Sequence, residues 1–142
     1  MNTVLSTLVG KPVENPRTVI KHGFRGKSSD TAGCLIQAYS VFSICNGTIL
    51  SVDLSAKTSL WCVTVNAGVN CWVRYAGLSS TGVLSGQTIK KGDFVGYGNN
   101  GCMQLEYCTA EPSHYPVRLS GIQLYKHDPT PIIFSRIDIL GA

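Results

Sequence analysis

Along this chain apolar residues recur at every second position in short runs, and almost nowhere at the spacing of a helix face. YSVFSIC (39–45), GTILSVDL (47–54), LWCVTV (60–65), CWVRYA (71–76), DFVGY (93–97) and MQLEYC (103–108) are rich in β-branched and aromatic residues, so each predicts a strand. Turn signals separate them: Asn46-Gly47, Asn66-Ala67-Gly68, Gly86-Gln87, Lys91-Gly92-Asp93 and the stretch GNNG at 98–101. The clearest hairpin joins WCVTV to CWVRY through a turn at residues 66–68. Short strands with tight turns predict an all-β, antiparallel domain of sandwich or barrel-like form.

A length of 142 residues suits one domain with one core. The dense strand region divides the chain into an N-terminal arm (1–20), a β domain (21–133) and a C-terminal tail (134–142). Alternation in SRIDIL, within that tail, predicts an edge strand added to this sheet or to a neighbour's. No apolar run is long enough for a membrane-spanning helix, so no membrane partner is expected. MNTVLSTLVGKPVENP lacks the basic start and apolar centre of a signal peptide, which predicts cytoplasmic synthesis without export. Six cysteines (34, 45, 62, 71, 102 and 108) include no Cys-x-x-Cys pair. They read as small buried thiols, with later oxidation to disulfides as the alternative.

The net charge of +4 is uneven: Lys11, Arg17, Lys21, Arg25 and Lys27 stand against Glu14 alone within residues 11–27. Such a segment is either solvated or turned toward an acidic partner or another subunit. No recognition helix or aromatic platform accompanies it, so nucleic acid is not expected.

Motifs for chemistry are weak. GYGNNG (96–101) fits G-x-G-x-x-G, but a strand rather than a helix follows it, which leaves a β-turn and no nucleotide cofactor. His22, His114 and His127 have no second histidine at ligand spacing, and His127 in KHDPTP reads as a surface turn. An improvised enzyme site would have to draw on His22, Asp30, Cys102, His114 and His127, and no local signature supports one.

Several stretches in order carry a likeness to a known family. HGFRGK supplies Gly23, Phe24 and Arg25; TAGCLIQAYSVFSICNGTILSV follows, with NGTI at 46–49 as a turn. WCVTVNAGVNCWVRYAGLSS comes next and ends at Tyr75, Gly77, Leu78 and Ser79. Then come VLSGQTIKKGDFVGYGNNG, CMQLE and HDPTP. Over residues 20–133 the chain resembles the lysostaphin/LytM-type zinc endopeptidases, which cut peptidoglycan cross-links and fold as antiparallel β structure around a groove. The resemblance places Thr31 and Leu35 where that family has a zinc histidine and aspartate, and Gly77 at its transition-state histidine. Cys102 falls at the histidine beside the metal, and Gln104 at the last zinc ligand.

A catalytic zinc needs three protein ligands and an open position for water, which hydroxyl, leucine and amide side chains do not supply. The resemblance therefore implies a degenerate, non-catalytic domain with no metal and no cofactor. Strand alternation predicts Cys102, Gln104 and Glu106 on the groove face. Trp61, Trp72, Tyr75 and Tyr107 are expected in the core, with the groove wall as the alternative. Since domains of this family occur at bacteriophage tail tips, the expected function is structural, in a virion tail or baseplate among other virion proteins. A non-cutting peptidoglycan-binding module is the alternative.

Overall fold

The computed structural model describes residues 32–129 and the backbone of residues 20–22. The arm before Ile20, the tail at 134–142, Gly23, Phe24, Arg25, Asp30 and Thr31, and all of the basic 11–27 cluster except the Lys21 backbone lie outside the described residues.

Alternation gives way to strands where it was expected, with five additions. The described strands are β1 (Ile20–His22), β2 (Cys34–Gln37), β3 (Ser40–Phe42), β4 (Gly47–Leu54), β5 (Trp61–Gly68) and β6 (Cys71–Thr81). They continue as β7 (Thr88–Ile89), β8 (Phe94–Gly98), β9 (Cys102–Thr109), β10 (Pro116–Leu119) and β11 (Ile122–His127). The additions are β1, β2, β7, β10 and β11. All pairings among them are antiparallel and link one network, in the order β1-β2-β9-β6-β5-β4-β7. Two branches leave this path: β10 pairs with β11 and β11 with β9, while β3 pairs with β8 and β8 with β6. The all-β, antiparallel fold class is thus as the sequence predicts.

Two local readings are corrected. The β5–β6 turn sits at Val69-Asn70, because β5 continues through Gly68 with a register shift at Asn66/Gly68. Asn70 takes a left-handed φ of 54°, a conformation that asparagine tolerates, so the reversal forms there rather than at 66–68. His127 does not sit in a surface turn. It ends β11 opposite Tyr107, because PVRL and IQLYKH form a hairpin about Ser120-Gly121.

Packing divides into a main core and a satellite. Val63, Val65, Val73, Tyr75, Leu78, Met103 and Leu105, from β5, β6 and β9, meet Ile36, Val41, Ile49, Ile89 and Val95 in the main core. Cys108, Leu119 and Leu124 form the satellite, against which Leu50, Trp72 and Val117 pack. Each large apolar side chain fully buried here contributes about 1.5–3 kcal/mol. Tyr75 is fully buried, and its hydroxyl accepts from Ile44 N at 3.0 Å, tying the chain between β3 and β4 to β6. Trp61 packs at the edge of the main core and Trp72 against the satellite, so both are packing residues, as expected. Tyr107 is half-buried and leans on the His127 ring at 6.1 Å.

Gly98 shows why the Gly-rich stretch before β9 is needed: a Cβ there would collide with the Ala38 carbonyl oxygen. That close approach seats residues 38–39 on the chain reversal at Asn99–Cys102, through Ala38 N to Gly101 O and Gly98 N to Tyr39 O. No disulfide joins any of the six cysteines, of which Cys34, Cys45 and Cys108 are buried.

Candidate functional site

Residues alternate across a strand, so β9 turns Gln104 and Glu106 to one face and Met103 and Leu105 to the core. The pairing of β6 with β9 sets Arg74 opposite Glu106 and Ala76 opposite Gln104. The pairing of β5 with β6 sets Thr64 opposite Arg74. Four neighbouring strands, β5, β6, β9 and β11, thereby floor a groove of about 400 Å³ with Cys62, Arg74, Gln104, Glu106 and Lys126. Ser55, Lys57, Thr58 and Leu60, from the β4–β5 connection, form one wall.

Glu106 organises the floor. Its carboxylate is 3% exposed and accepts from Arg74 Nη1 at 2.7 Å, while Lys126 Nζ lies 3.2 Å from the same oxygen. Gln104 Nε2 donates to the other oxygen at 2.6 Å. Arg74 is also held by Nε, which donates to Thr64 Oγ1 at 3.2 Å. A buried carboxylate answered by three donors is compensated; removing any one of them leaves charge in a poorly solvated place. Burial works to lower the Arg74 pKa, but Cys62 and Glu106 outweigh it and hold it above its ordinary value. Burial pushes the Cys62 thiol up to about 11 against the pull of Arg74, and the Cys108 thiol up to about 12. Both stay protonated near neutrality, so neither is an activated nucleophile.

Four of the five positions singled out from the sequence are described, and two of them line the groove while Leu35 and Cys102 do not. Gly77 and Gln104 line the groove, and Leu35 is the cross-strand partner of Gln104. Cys102 lies half-buried two residues before Gln104 and pairs with Gln37. Thr31 lies outside the described residues. Gly77 has a left-handed φ of 73°, with the nearest backbone 3.8 Å from where a Cβ would stand. Space is therefore available there, but any side chain would carry backbone strain of about 1–2 kcal/mol.

These residues do not fit a catalytic zinc. Leu35 and Gly77 supply no donor atom, the Gln104 amide is held by Glu106, and Glu106 is engaged by two cationic side chains. Among the described residues no three His, Cys, Asp or Glu side chains gather as a metal site would require. Nor do the described members of the alternative set come together. His114 is exposed beside Tyr115, and Cys102 lies at the opposite end of β9 from the residue that pairs with His127. His127 Nε2 lies 2.9 Å from Thr109 Oγ1 and 3.0 Å from the Glu111 carbonyl oxygen, so the ring is engaged at that end of β9. Asp30 lies outside the described residues, as does the His22 side chain.

Sequence reasoning placed Glu106 on the groove face but missed Arg74, Lys126 and Cys62. A charged residue at the centre of CWVRYA, between buried Val73 and Tyr75, was the available signal for Arg74. Lys126 was hidden because its strand was not recognised.

No protein-family model and no curated protein matches this chain. Its fold does match solved structures. A crystal structure of cbpa from L. salivarius REN superposes with a TM-score of 0.60 at 18% identity, over 83% of this chain and 86% of that one. The catalytic domain of a prophage-encoded protein, EnpA from Enterococcus faecalis, gives 0.56 at 19% identity, over 80% and 88%. The antimicrobial peptidase lysostaphin from Staphylococcus simulans gives 0.62 at 19% identity, over 83% of this chain and 50% of that one. At these identities the likeness establishes the fold: an all-β architecture of the lysostaphin/LytM peptidase type.

Proposed function

We propose that the chain is a non-catalytic module of peptidase-like fold, acting as a structural subunit of a larger assembly. One observation carries this reading. Where such a fold would gather metal donors, the floor holds Arg74, Glu106, Lys126 and Gln104 joined to one another, beside Gly77 and Leu35. Metal-assisted hydrolysis needs a bound, polarised water and a group to manage its proton. The residues at hand offer cationic donors and a saturated carboxylate instead.

In its narrower form, the assembly is a bacteriophage particle and the place a tail or baseplate. EnpA is prophage-encoded, which supports that setting. Assembly use of the fold has a parallel in the SpoIIQ–SpoIIIAH pore forming complex, a chain of which superposes with a TM-score of 0.56 at 13% identity. A second reading, a peptidoglycan-binding module that does not cut, is favoured by the open groove itself.

The full chain, purified in the presence of zinc and dialysed, is expected to retain no stoichiometric metal. It is also expected to release no new amino groups from isolated cell walls. Zinc retained at one per chain together with wall hydrolysis rejects the proposal. Affinity purification of the intact protein from its source is expected to bring fixed partners with it. Recovery as a lone monomer that sediments with cell walls would instead favour the binding module.

A further inference from the structure

We propose that the groove is a binding site for the C-terminal carboxylate of a short peptide, with Arg74 as its anchor. The inference rests on the non-catalytic reading above and names the ligand that the groove accepts. Lys57, Arg74 and Lys126 line it against a single lining carboxylate, Glu106. Low-dielectric walls concentrate that positive field within the groove, where an anion gains from it.

Arg74 is set for such a contact. Nε is fixed by Thr64 Oγ1 and Nη1 by Glu106 Oε1, so the guanidinium plane cannot swing. Nη2 takes no hydrogen bond among the described residues. It is not among the buried unpartnered atoms either, of which Trp72 Nε1 is the one example there, so it meets solvent. With its side chain 14% exposed and lining the groove, Arg74 offers that edge to whatever enters. A donor held in place before binding loses little freedom on binding.

Size and wall chemistry narrow the ligand. A groove of about 400 Å³ is larger than a lone carboxylate or phosphate requires and suits two or three amino-acid residues. Leu60, Ala76 and Gly77 give apolar surface beside the cations. A terminal carboxylate carried on a short, small-side-chain peptide answers both features.

The test is calorimetric titration of the full chain with N-acetyl-alanyl-alanine and with its C-terminal amide. The acid is expected to bind at least about tenfold more tightly than the amide, with affinity falling as salt is raised. Arg74→Lys keeps a positive charge near Glu106 but removes the oriented Nη2, and is expected to weaken the acid about tenfold. Lys57→Glu reverses a charge on an exposed wall residue, and is expected to weaken it about fivefold. The proposal is overturned by equal affinity for acid and amide, by no binding of either at millimolar concentration, or by wild-type affinity in both variants. Mass spectrometry of the same samples keeps the two readings apart. Cleaved peptide would refute the non-catalytic function, whereas intact peptide without the acid preference refutes the carboxylate site alone.

Discussion

Cys108 is wholly buried, and burial pushes its thiol from an ordinary value of 9.0 up to about 12; Cys62, at the groove floor, is pushed up to about 11. A thiol is neutral when protonated, so the folded state prefers the protonated form of both. Each folded pKa lies above its unfolded value, so the stabilisation is full below 9.0 and is lost as pH rises through the folded values. Each thiol that ionises only on unfolding lowers stability by about 1.4 kcal/mol per pH unit. Urea unfolding at successive alkaline pH values is therefore expected to show stability declining from 9.0 upward. The decline should become shallower in Cys108→Ala, whose stability is compared with its own value at neutral pH. A flat profile from 9.0 to about 11 would contradict the burial argument. Cys102 lies apart from this pair, half-buried at the start of β9.

Glu106 on β9 joins three strands, since Arg74 comes from β6 and Lys126 from β11. Glu106→Gln keeps the volume and removes the charge, leaving two cationic side chains around a neutral amide. Breaking a buried ion pair from one side costs about 3–5 kcal/mol, so a loss of about 3 kcal/mol is expected in urea unfolding. Lys126→Met leaves the Arg74–Glu106 pair intact and is expected to cost less than Glu106→Gln. A change below about 0.5 kcal/mol for Glu106→Gln, the level of an ordinary surface substitution, would show that the network does not support the fold. This network marks what a sequence can and cannot disclose. Runs such as GTILSVDL and MQLEYC carry their strand assignment in their own alternation, and the structure forms β4 and β9 there. CLIQ and PVRL are only four residues long, too brief for a period-two pattern to stand out, and β2 and β10 were missed. Glu106 was placed on the groove face by counting along one strand. Its partners depend on cross-strand register, which side-chain alternation within either strand does not specify.

Over the whole molecule, stability is unevenly distributed, and the groove lies across the boundary. The main core draws on β2 to β9, whereas the β10–β11 hairpin is held by the smaller satellite of Cys108, Leu119 and Leu124 and by the pairing of β11 with β9. Elements with fewer buried apolar contacts open locally at a lower free energy than the global transition. Lys126 rides on that hairpin, so opening it withdraws one of the cations from Glu106 and loosens the groove floor. Native-state amide exchange is expected to give β10 and β11 smaller opening free energies than β5 and β6. Leu124→Ala is expected to enlarge that gap, since a buried leucine lost to alanine costs about 2–5 kcal/mol at the site it leaves. If Leu124→Ala instead lowers protection equally in β5, β6 and the hairpin, the satellite is part of one cooperative unit. A ligand carboxylate that engages Arg74 would then stabilise the entire sheet rather than the hairpin, because it binds the closed form alone.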